Sequence, residues 1–90
     1  MQFYVYVLQS RKDLKLYVGI TNDVKQRFLR HNEGRVKSTK NRAPFSLVHQ
    51  EIFTDRKTAR SREKFLKSGN GRKVLEKVLA RVVELADTPA

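Results

Sequence analysis

The side chains best suited to proton chemistry lie in two short apolar runs near the start of the chain. Tyr4 and Tyr6 flank a valine in the first run, and Tyr17 lies in the second. Residues two apart on a strand share a face, so Tyr4 and Tyr6 should point the same way, and a hairpin could bring Tyr17 beside Tyr6. Such phenols could orient a water or exchange a proton with it. Cross-strand aromatic packing is the alternative explanation of the pattern.

Arg27 and His31 form a second pair that could act on a phosphate. They are four residues apart and therefore share one face of a predicted helix. Arginine offers a rigid fork of donors to phosphate oxygens, and histidine can donate, accept or relay a proton. A solvated helix face would carry the same pair. The other histidine, His49, lies within a predicted strand and is expected to be structural.

Glu63 is a carboxylate among the basic residues of a predicted helix. A single carboxylate can bind Mg²⁺ when waters and substrate phosphate oxygens complete the octahedron. An ion pair with Lys67, one turn further along the helix, is the alternative. The sequence has no P-loop, nucleophile elbow, zinc-type histidine pair or two-metal carboxylate cluster.

Hydrophobic periodicity predicts that an α+β fold positions these groups. Strands are predicted over 3–8, 16–20 and 45–53, and helices follow capping clusters at 21–23 and 54–55. The first strand is apolar throughout, so it should be central and buried on both faces. Gly19 interrupts the second strand, which indicates a bulge or the close approach of another group.

The last third of the chain is predicted to be helical. Ser68 to Gly71 should break the second helix, and a third helix should run from about Arg72 to Ala86. The predicted architecture is therefore a three-stranded antiparallel sheet flanked by helices, in the order β-β-α-β-α-α.

Length and charge narrow the class of function. Ninety residues form one small domain, for which we predict bounds of 1–82, with a helix end and frayed tail at 83–90. Twenty Lys and Arg against nine Asp and Glu give a net charge of +11, which attracts polyanions and above all nucleic acids. Because the sequence has no cysteines, no signal peptide and no long apolar stretch, we expect a cytoplasmic protein that does not enter a membrane. We also expect a monomer.

A basic loop at 35–43 is the predicted contact surface for nucleic acid. Basic residues of the second predicted helix extend this surface. The predicted phosphate-binding residues are Arg35, Lys37, Lys40, Arg42 and Lys67, with Ser38 and Thr39 inside the loop.

Together, these residues resemble the signature of the GIY-YIG nuclease superfamily. Its two short motifs correspond to Tyr4-Val5-Tyr6 and, after ten intervening residues, Tyr17-Val18-Gly19, with Tyr4 where the signature has its first glycine. Arg27, His31 and Glu63 fall where relatives have an arginine, a histidine or tyrosine, and a metal-binding glutamate. The small stand-alone bacterial branch is the most similar.

The resemblance implies a DNA endonuclease that uses one Mg²⁺ or Mn²⁺ ion. Tyr6 would be the general base that activates water, and Tyr17 would orient that water or share the role. Arg27 would stabilise the charge that develops on the phosphate, and His31 would assist proton transfer or phosphate contact. Glu63 would hold the metal ion.

Branched, nicked or single-stranded DNA, in repair or processing, is the expected substrate. Asn70, expected in a loop, is the only candidate for the late asparagine that relatives often have. One alternative is a nucleic-acid-binding module without turnover. The other is an adaptor for a repair complex, which would dock through apolar residues such as Val83 and Leu85.

Overall fold

A three-stranded antiparallel sheet carries the fold of this protein, whose computed structural model describes residues 2–87, and the side chains of residues 2–79. The strands are β1 (Phe3–Ser10), β2 (Leu16–Thr21) and β3 (Phe45–Phe53), in the order β2-β1-β3. The helices are α1 (Val24–Asn32), α2 (Arg56–Lys67) and α3 (Gly69–Asp87), with one 3₁₀ turn at Lys40–Arg42. The predicted α+β fold and element order are confirmed.

β1 is the central strand because both of its faces carry apolar side chains. Val5 and Val7 pack with Val18 in a core that includes α2 and α3, whereas Tyr6 and Leu8 belong to a second core beneath α1. A shift of one residue along β1 would exchange the two faces. The alternation therefore holds Tyr6 on the α1 face of the sheet.

Aspartate caps set where the first two helices begin. Asp23 Oδ1 accepts a hydrogen bond from Gln26 N at 3.1 Å, and Asp55 Oδ1 accepts one from Thr58 N at 2.9 Å. The cap on α1 fixes the phase of that helix, which decides which of its side chains turn toward the sheet.

One side-chain amide joins the end of α1 to the start of β3. Asn32 Oδ1 accepts from Phe45 N at 2.6 Å, and Asn32 Nδ2 donates to Phe45 O at 3.4 Å. Because the amide serves both backbone groups of one strand residue, it holds together the two ends of the connecting loop, which includes the basic segment 35–43.

The junction between α2 and α3 is shorter than predicted. Ser68 alone separates the helices, since α3 begins at Gly69 and not near Arg72. Ser68 Oγ accepts from Gly71 N at 3.2 Å, and its carbonyl accepts from Arg72 N at 3.0 Å, so this serine caps the next helix at once. Asn70 therefore lies in the first turn of α3, and its predicted position in a loop was wrong.

The remaining expectations for the last helix fall at the edge of the described region. Residues 88–90 of the predicted frayed tail lie outside the described residues, as do the side chains of Val83 and Leu85. Within the described residues, no helix combines the length and apolar character needed to cross a membrane.

Gly71 allows α2 and α3 to approach each other, and this can be tested. A Cβ on Gly71 would overlap the backbone of Phe65 and Leu66, whereas a Cβ on Gly69 would meet nothing within 4 Å. We expect Gly71→Ala to lower the free energy of unfolding by about 1–3 kcal/mol or more, because the helices must move apart. Gly69→Ala, the matched control, should be neutral or stabilise by up to about 1 kcal/mol through its higher helix propensity. Equal urea midpoints for the two variants would contradict the packing argument.

Candidate active site

Tyr6 is the centre of a buried polar cluster on the α1 face of the sheet. It is 1% exposed, and its Oη lies 3.3 Å from Arg27 Nε and 3.1 Å from His31 Nε2. Burial raises the pKa of the Tyr6 phenol, and the hydrogen bond from Arg27 offsets only part of that rise. The phenol is therefore protonated near neutral pH and has a proton that it can pass on.

Gly19 makes room for this phenol. It is the register partner of Tyr6 on the neighbouring strand, and a Cβ at position 19 would overlap the phenol ring and its oxygen. The glycine within the second strand indicated the close approach of another group, and that group is the Tyr6 side chain. No residue with a Cβ fits at position 19 unless Tyr6 moves.

Tyr17 lies diagonally across the strand pair from Tyr6. Its register partner is Leu8, and the ring centroids of Tyr6 and Tyr17 are 6.5 Å apart. The Tyr17 ring also packs edge-on with the His31 ring, at a centroid distance of 4.9 Å. The hydrogen bond with Tyr6, and to a smaller extent Tyr17, raises the pKa of Arg27. Arg27 is therefore a permanent cation beside both phenols.

His31 is buried and uncharged. It is 0% exposed, and its ring packs edge-on with that of Phe45 at a centroid distance of 5.9 Å. Burial, and then the positive charge of Arg27, lowers the pKa of His31 to about 4. An imidazole with this pKa is neutral at physiological pH and can accept a proton from a neighbour.

Thr39 is a member of the cluster that sequence reasoning missed. Its Oγ1 lies 2.7 Å from His31 Nδ1, and the residue is 1% exposed. Thr39 was expected only as a member of the basic loop, and its hydroxyl instead faces the buried imidazole. Ser38, its neighbour in the loop, is exposed. Nothing local in the sequence distinguishes the buried hydroxyl from the exposed one.

Glu63 lies on α2, which packs on the face of the sheet opposite to the Tyr6 core. It is 6% exposed, and its carboxylate oxygens lie 3.2 Å from Lys67 Nζ and 3.6 Å from Arg60 Nη1. Lys67 and Tyr17 line one cleft of about 180 Å³ beside the edge strand β2. Burial is the main cause of the raised pKa of Tyr6, and the negative charge of Glu63 adds to it. The four predicted catalytic residues thus form one contact cluster, and the predicted metal ligand, Glu63, is an electrostatic neighbour of it.

The basic loop is anchored to the turn between β1 and β2. Ser10 Oγ donates to the Arg42 carbonyl at 2.6 Å, and Arg42 Nε lies 3.8 Å from Asp13 Oδ2. Lys40 directly follows Thr39, so the surface predicted to bind nucleic acid continues into the buried cluster. The predicted phosphate-binding side chains are all exposed, namely Arg35, Lys37, Lys40, Arg42 and Lys67.

Other predicted positions lie away from the cluster. Asn70 is exposed, and no hydrogen bond among the described side chains links it to the residues around Tyr6. His49 Nε2 lies 2.8 Å from Glu51 Oε2, and Glu51 Oε1 accepts from Arg62 Nε at 2.8 Å, so this network joins β3 to α2. Of the motif residues, Val5 and Val18 lie in the core, and Tyr4 is half-buried.

Glu63 is the candidate ligand for a divalent metal ion. No group of three or more His, Asp or Glu side chains within residues 2–79 could form a complete protein cage for such an ion. Mg²⁺ is commonly held by one or two carboxylates, with waters and substrate phosphate oxygens as its other ligands. The single carboxylate fits this mode, because Lys67 and Arg60, which now pair with it, are exposed side chains that an ion can displace.

Comparison with known proteins points to one family. The family model described as the GIY-YIG catalytic domain matches residues 2–76. A UPF0213 protein of Clostridium perfringens is 43% identical over 65 residues, which cover 71% of this chain and 69% of that protein. A UPF0213 protein of Staphylococcus saprophyticus is 38% identical over 74 residues, which cover 81% of this chain and 89% of that protein.

A solved structure gives the same result at the level of the fold. The solution NMR structure of a UPF0213 protein from Bacillus halodurans matches with a TM-score of 0.54 and 33% sequence identity, over 87% of this chain and 85% of that chain. The family match covers most of the sequence, and it includes every residue of the cluster around Tyr6. This chain therefore belongs to the GIY-YIG family, in its UPF0213 group of small single-domain proteins.

Proposed function

We propose that this protein is a metal-dependent DNA endonuclease in which Tyr6 activates the water that attacks a phosphodiester. Membership of a nuclease family supports phosphodiester hydrolysis in general. The observation that carries the proposal is the contact of Tyr6 Oη with both Arg27 Nε and His31 Nε2, at 3.3 and 3.1 Å. This set combines a phenol at the start of a proton relay, a neutral proton acceptor and a cation for phosphate oxygens.

The proposed proton route starts at the attacking water. As the water oxygen bonds to phosphorus, the water gives a proton to Tyr6 Oη, and Tyr6 passes its own proton to His31 Nε2. The P–O bond to the leaving group breaks, and the leaving oxygen takes a proton from solvent. Because the pKa of Tyr6 is raised and that of His31 is about 4, the resting state holds neither phenolate nor imidazolium, so the two transfers must be coupled. Afterwards, His31 returns its proton through Tyr6 to solvent.

Arg27 supports this route in two ways. A half-buried guanidinium stabilises the negative charge that grows on the non-bridging phosphate oxygens more strongly than it would in water. The second effect acts on His31, whose pKa is lowered first by burial and then by the Arg27 charge. A bound phosphate offsets that charge, so substrate binding makes the imidazole a better proton acceptor.

Glu63 is the proposed ligand of one Mg²⁺ or Mn²⁺ ion. When bound, such an ion polarises the scissile phosphate and stabilises the leaving oxygen. Glu63 would exchange its ion pairs with Lys67 and Arg60 for the metal, and the released cations would be free to contact the DNA backbone. Tyr17, which lines a cleft together with Lys67, would orient the attacking water.

The proposed substrate is DNA with a branch, a nick or a single-stranded segment, cut by a monomer in DNA repair or processing. The exposed cations of the basic loop 35–43 are the support for DNA binding. Lysine and arginine contacts to phosphate position the protein without reading base sequence. The structure of the DNA, and not its sequence, should therefore decide where it is cut.

A nucleic-acid-binding module without turnover is the second candidate function. It is favoured by the ion pairs of Glu63, whose two oxygens are already engaged by Lys67 and Arg60. If these pairs persist in the complex, the exposed loop still binds phosphate, but the carboxylate does not hold a metal ion. The adaptor alternative depends on Val83 and Leu85, whose side chains lie outside the described residues.

Cleavage assays on Glu63 and Tyr6 variants separate the two candidates. Glu63→Gln should abolish metal-dependent cleavage. Tyr6→Phe should slow it by about 10²- to 10⁴-fold, because the relay loses its first proton carrier. The assay uses Mg²⁺ or Mn²⁺ with labelled branched, nicked and single-stranded DNA. Glu76→Gln, which removes an exposed carboxylate from α3, is the matched control and should cut like the wild type. Wild-type cleavage by Glu63→Gln would sink the metal assignment, and binding without cleavage by the wild type would favour the module.

The basic loop can be tested through the salt dependence of DNA binding. Lys37→Gln should weaken binding and reduce the slope of log Kobs against log salt by about 0.9 for duplex DNA, since one phosphate contact is lost. Lys77→Gln removes the same charge from an exposed position on α3 and should leave the slope near that of the wild type. Fluorescence anisotropy over a salt series measures both variants, and equal slopes would exclude the loop as the contact surface.

The neutral state of His31 predicts a loss of stability in acid. Its pKa is about 4 in the folded protein against an ordinary 6.5, so the unfolded chain binds more protons between those pH values. The contribution of His31 is complete above pH 6.5 and is lost as the pH falls to 4, by up to about 3 kcal/mol. Urea unfolding at several pH values should show a steeper pH dependence for the wild type than for His31→Gln. An NMR titration midpoint near 6.5 for His31 would contradict the expectation.

A further inference from the structure

We propose that Thr39 is a positioning residue, which holds neutral His31 in the tautomer that can accept the Tyr6 proton. The catalytic meaning of this inference rests on the proposed function, but the tautomer is a property of the folded protein. Thr39 Oγ1 lies 2.7 Å from His31 Nδ1, and Thr39 is 1% exposed. The hydroxyl therefore faces the ring and not the solvent or a substrate.

The hydrogen bonds of Tyr6 determine one end of the imidazole. Tyr6 Oη has two partners among the described side chains, Arg27 Nε and His31 Nε2. A guanidinium N–H can only donate, so the phenol proton is directed to His31 Nε2. Nε2 is then an acceptor without a proton, and a neutral imidazole must carry its proton on Nδ1.

The contact of His31 Nδ1 with Thr39 is consistent with a proton on Nδ1. An Nδ1–H needs an acceptor, and Thr39 Oγ1 is 2.7 Å away. The threonine proton can then go to the Val36 carbonyl oxygen at 3.4 Å. Each donor meets an acceptor in the order Tyr6, His31, Thr39, Val36, and no buried side-chain N or O atom of the described residues lacks a partner.

The opposite tautomer, with the proton on His31 Nε2, would leave one buried donor without an acceptor. Both Arg27 Nε–H and His31 Nε2–H would donate to Tyr6 Oη, and the phenol proton would have no acceptor among its described partners. An unpaired buried donor is destabilising, and a protonated Nε2 cannot take the Tyr6 proton. The relay therefore requires the tautomer that Thr39 supports.

Thr39 also connects the basic loop to the proton relay. Its N–H donates to Val36 O at 3.0 Å, and its carbonyl accepts from Arg42 N at 2.9 Å, so turns within the loop fix its backbone. Lys40 is the next residue in the chain. The loop that meets the DNA backbone thus also orients the ring that takes the proton.

NMR of the histidine ring nitrogens tests the tautomer in the intact protein. The sequence contains two histidines, so His49→Gln leaves His31 as the single source of these signals. We expect Nε2 to resonate as an unprotonated, pyridine-type nitrogen and Nδ1 as a protonated, pyrrole-type nitrogen. The reverse pattern overturns the proposal, whether or not the protein cleaves DNA. If the wild type cuts no substrate, the proposed nuclease function fails while this measurement still decides the tautomer.

Two variants test whether Thr39 helps to hold that tautomer. Thr39→Val removes the hydroxyl at nearly constant shape and should shift His31 toward the Nε2–H form. It should also lower kcat by about 10- to 100-fold, the range found when a metal-binding histidine loses the partner that orients it, with KM little changed. Thr39→Ser keeps the hydroxyl and should restore both readouts. Thr54→Val, at an exposed position outside the cluster, is the control and should match the wild type.

The outcomes are distinct even if one variant is unstable. A folded Thr39→Val protein that keeps the wild-type tautomer and kcat overturns the positioning role. If Thr39→Val does not fold, Thr39→Ser decides: a wild-type ring pattern supports the hydroxyl as the orienting group, and an altered pattern contradicts it.

Discussion

The phenol of Tyr6 lies against the backbone of Gly19, at a point where a Cβ would overlap its ring. That contact brings the phenol oxygen within hydrogen-bonding distance of Arg27 and His31. Burial then acts on two groups in opposite directions. It raises the pKa of Tyr6 and lowers the pKa of His31, so both are uncharged at neutral pH. The missing side chain at Gly19 thus makes room for the phenol in a position where burial keeps it protonated.

Positive charge predominates around this neutral pair. Arg27 is a cation within hydrogen-bonding distance of the phenol, and Glu63, whose charge also acts on Tyr6, is paired with Lys67 and Arg60. The resting cluster therefore has excess positive charge, which favours an anion such as the phosphate of the proposed substrate. A phosphate bound there offsets the field of Arg27, which is one cause of the low pKa of His31. In the proposed mechanism, the arrival of substrate therefore also prepares the proton acceptor.

Local sequence patterns predicted the strands, the first two helix starts and the faces of β1, because alternation and aspartate caps act over a few residues. They failed at Ser68, where two nearby glycines indicated a break, although the serine hydroxyl caps α3 and Gly71 lets the helices touch. Thr39 was missed as a member of the cluster for a different reason. Its burial depends on contacts that are distant in sequence, such as Ser10 with Arg42 and Asn32 with Phe45. No local pattern encodes the path that these contacts give to the loop.

The choice of a hydroxyl behind His31 follows from the same electrostatics. A carboxylate at position 39 would also orient the ring, but its negative charge would stabilise the imidazolium and raise the pKa of His31. The resting site would then contain a protonated histidine that cannot accept the Tyr6 proton. Thr39 accepts the Nδ1 proton and passes its own toward Val36 without adding charge. A neutral orienting group therefore suits a relay in which burial and Arg27 keep the histidine deprotonated until a phosphate binds.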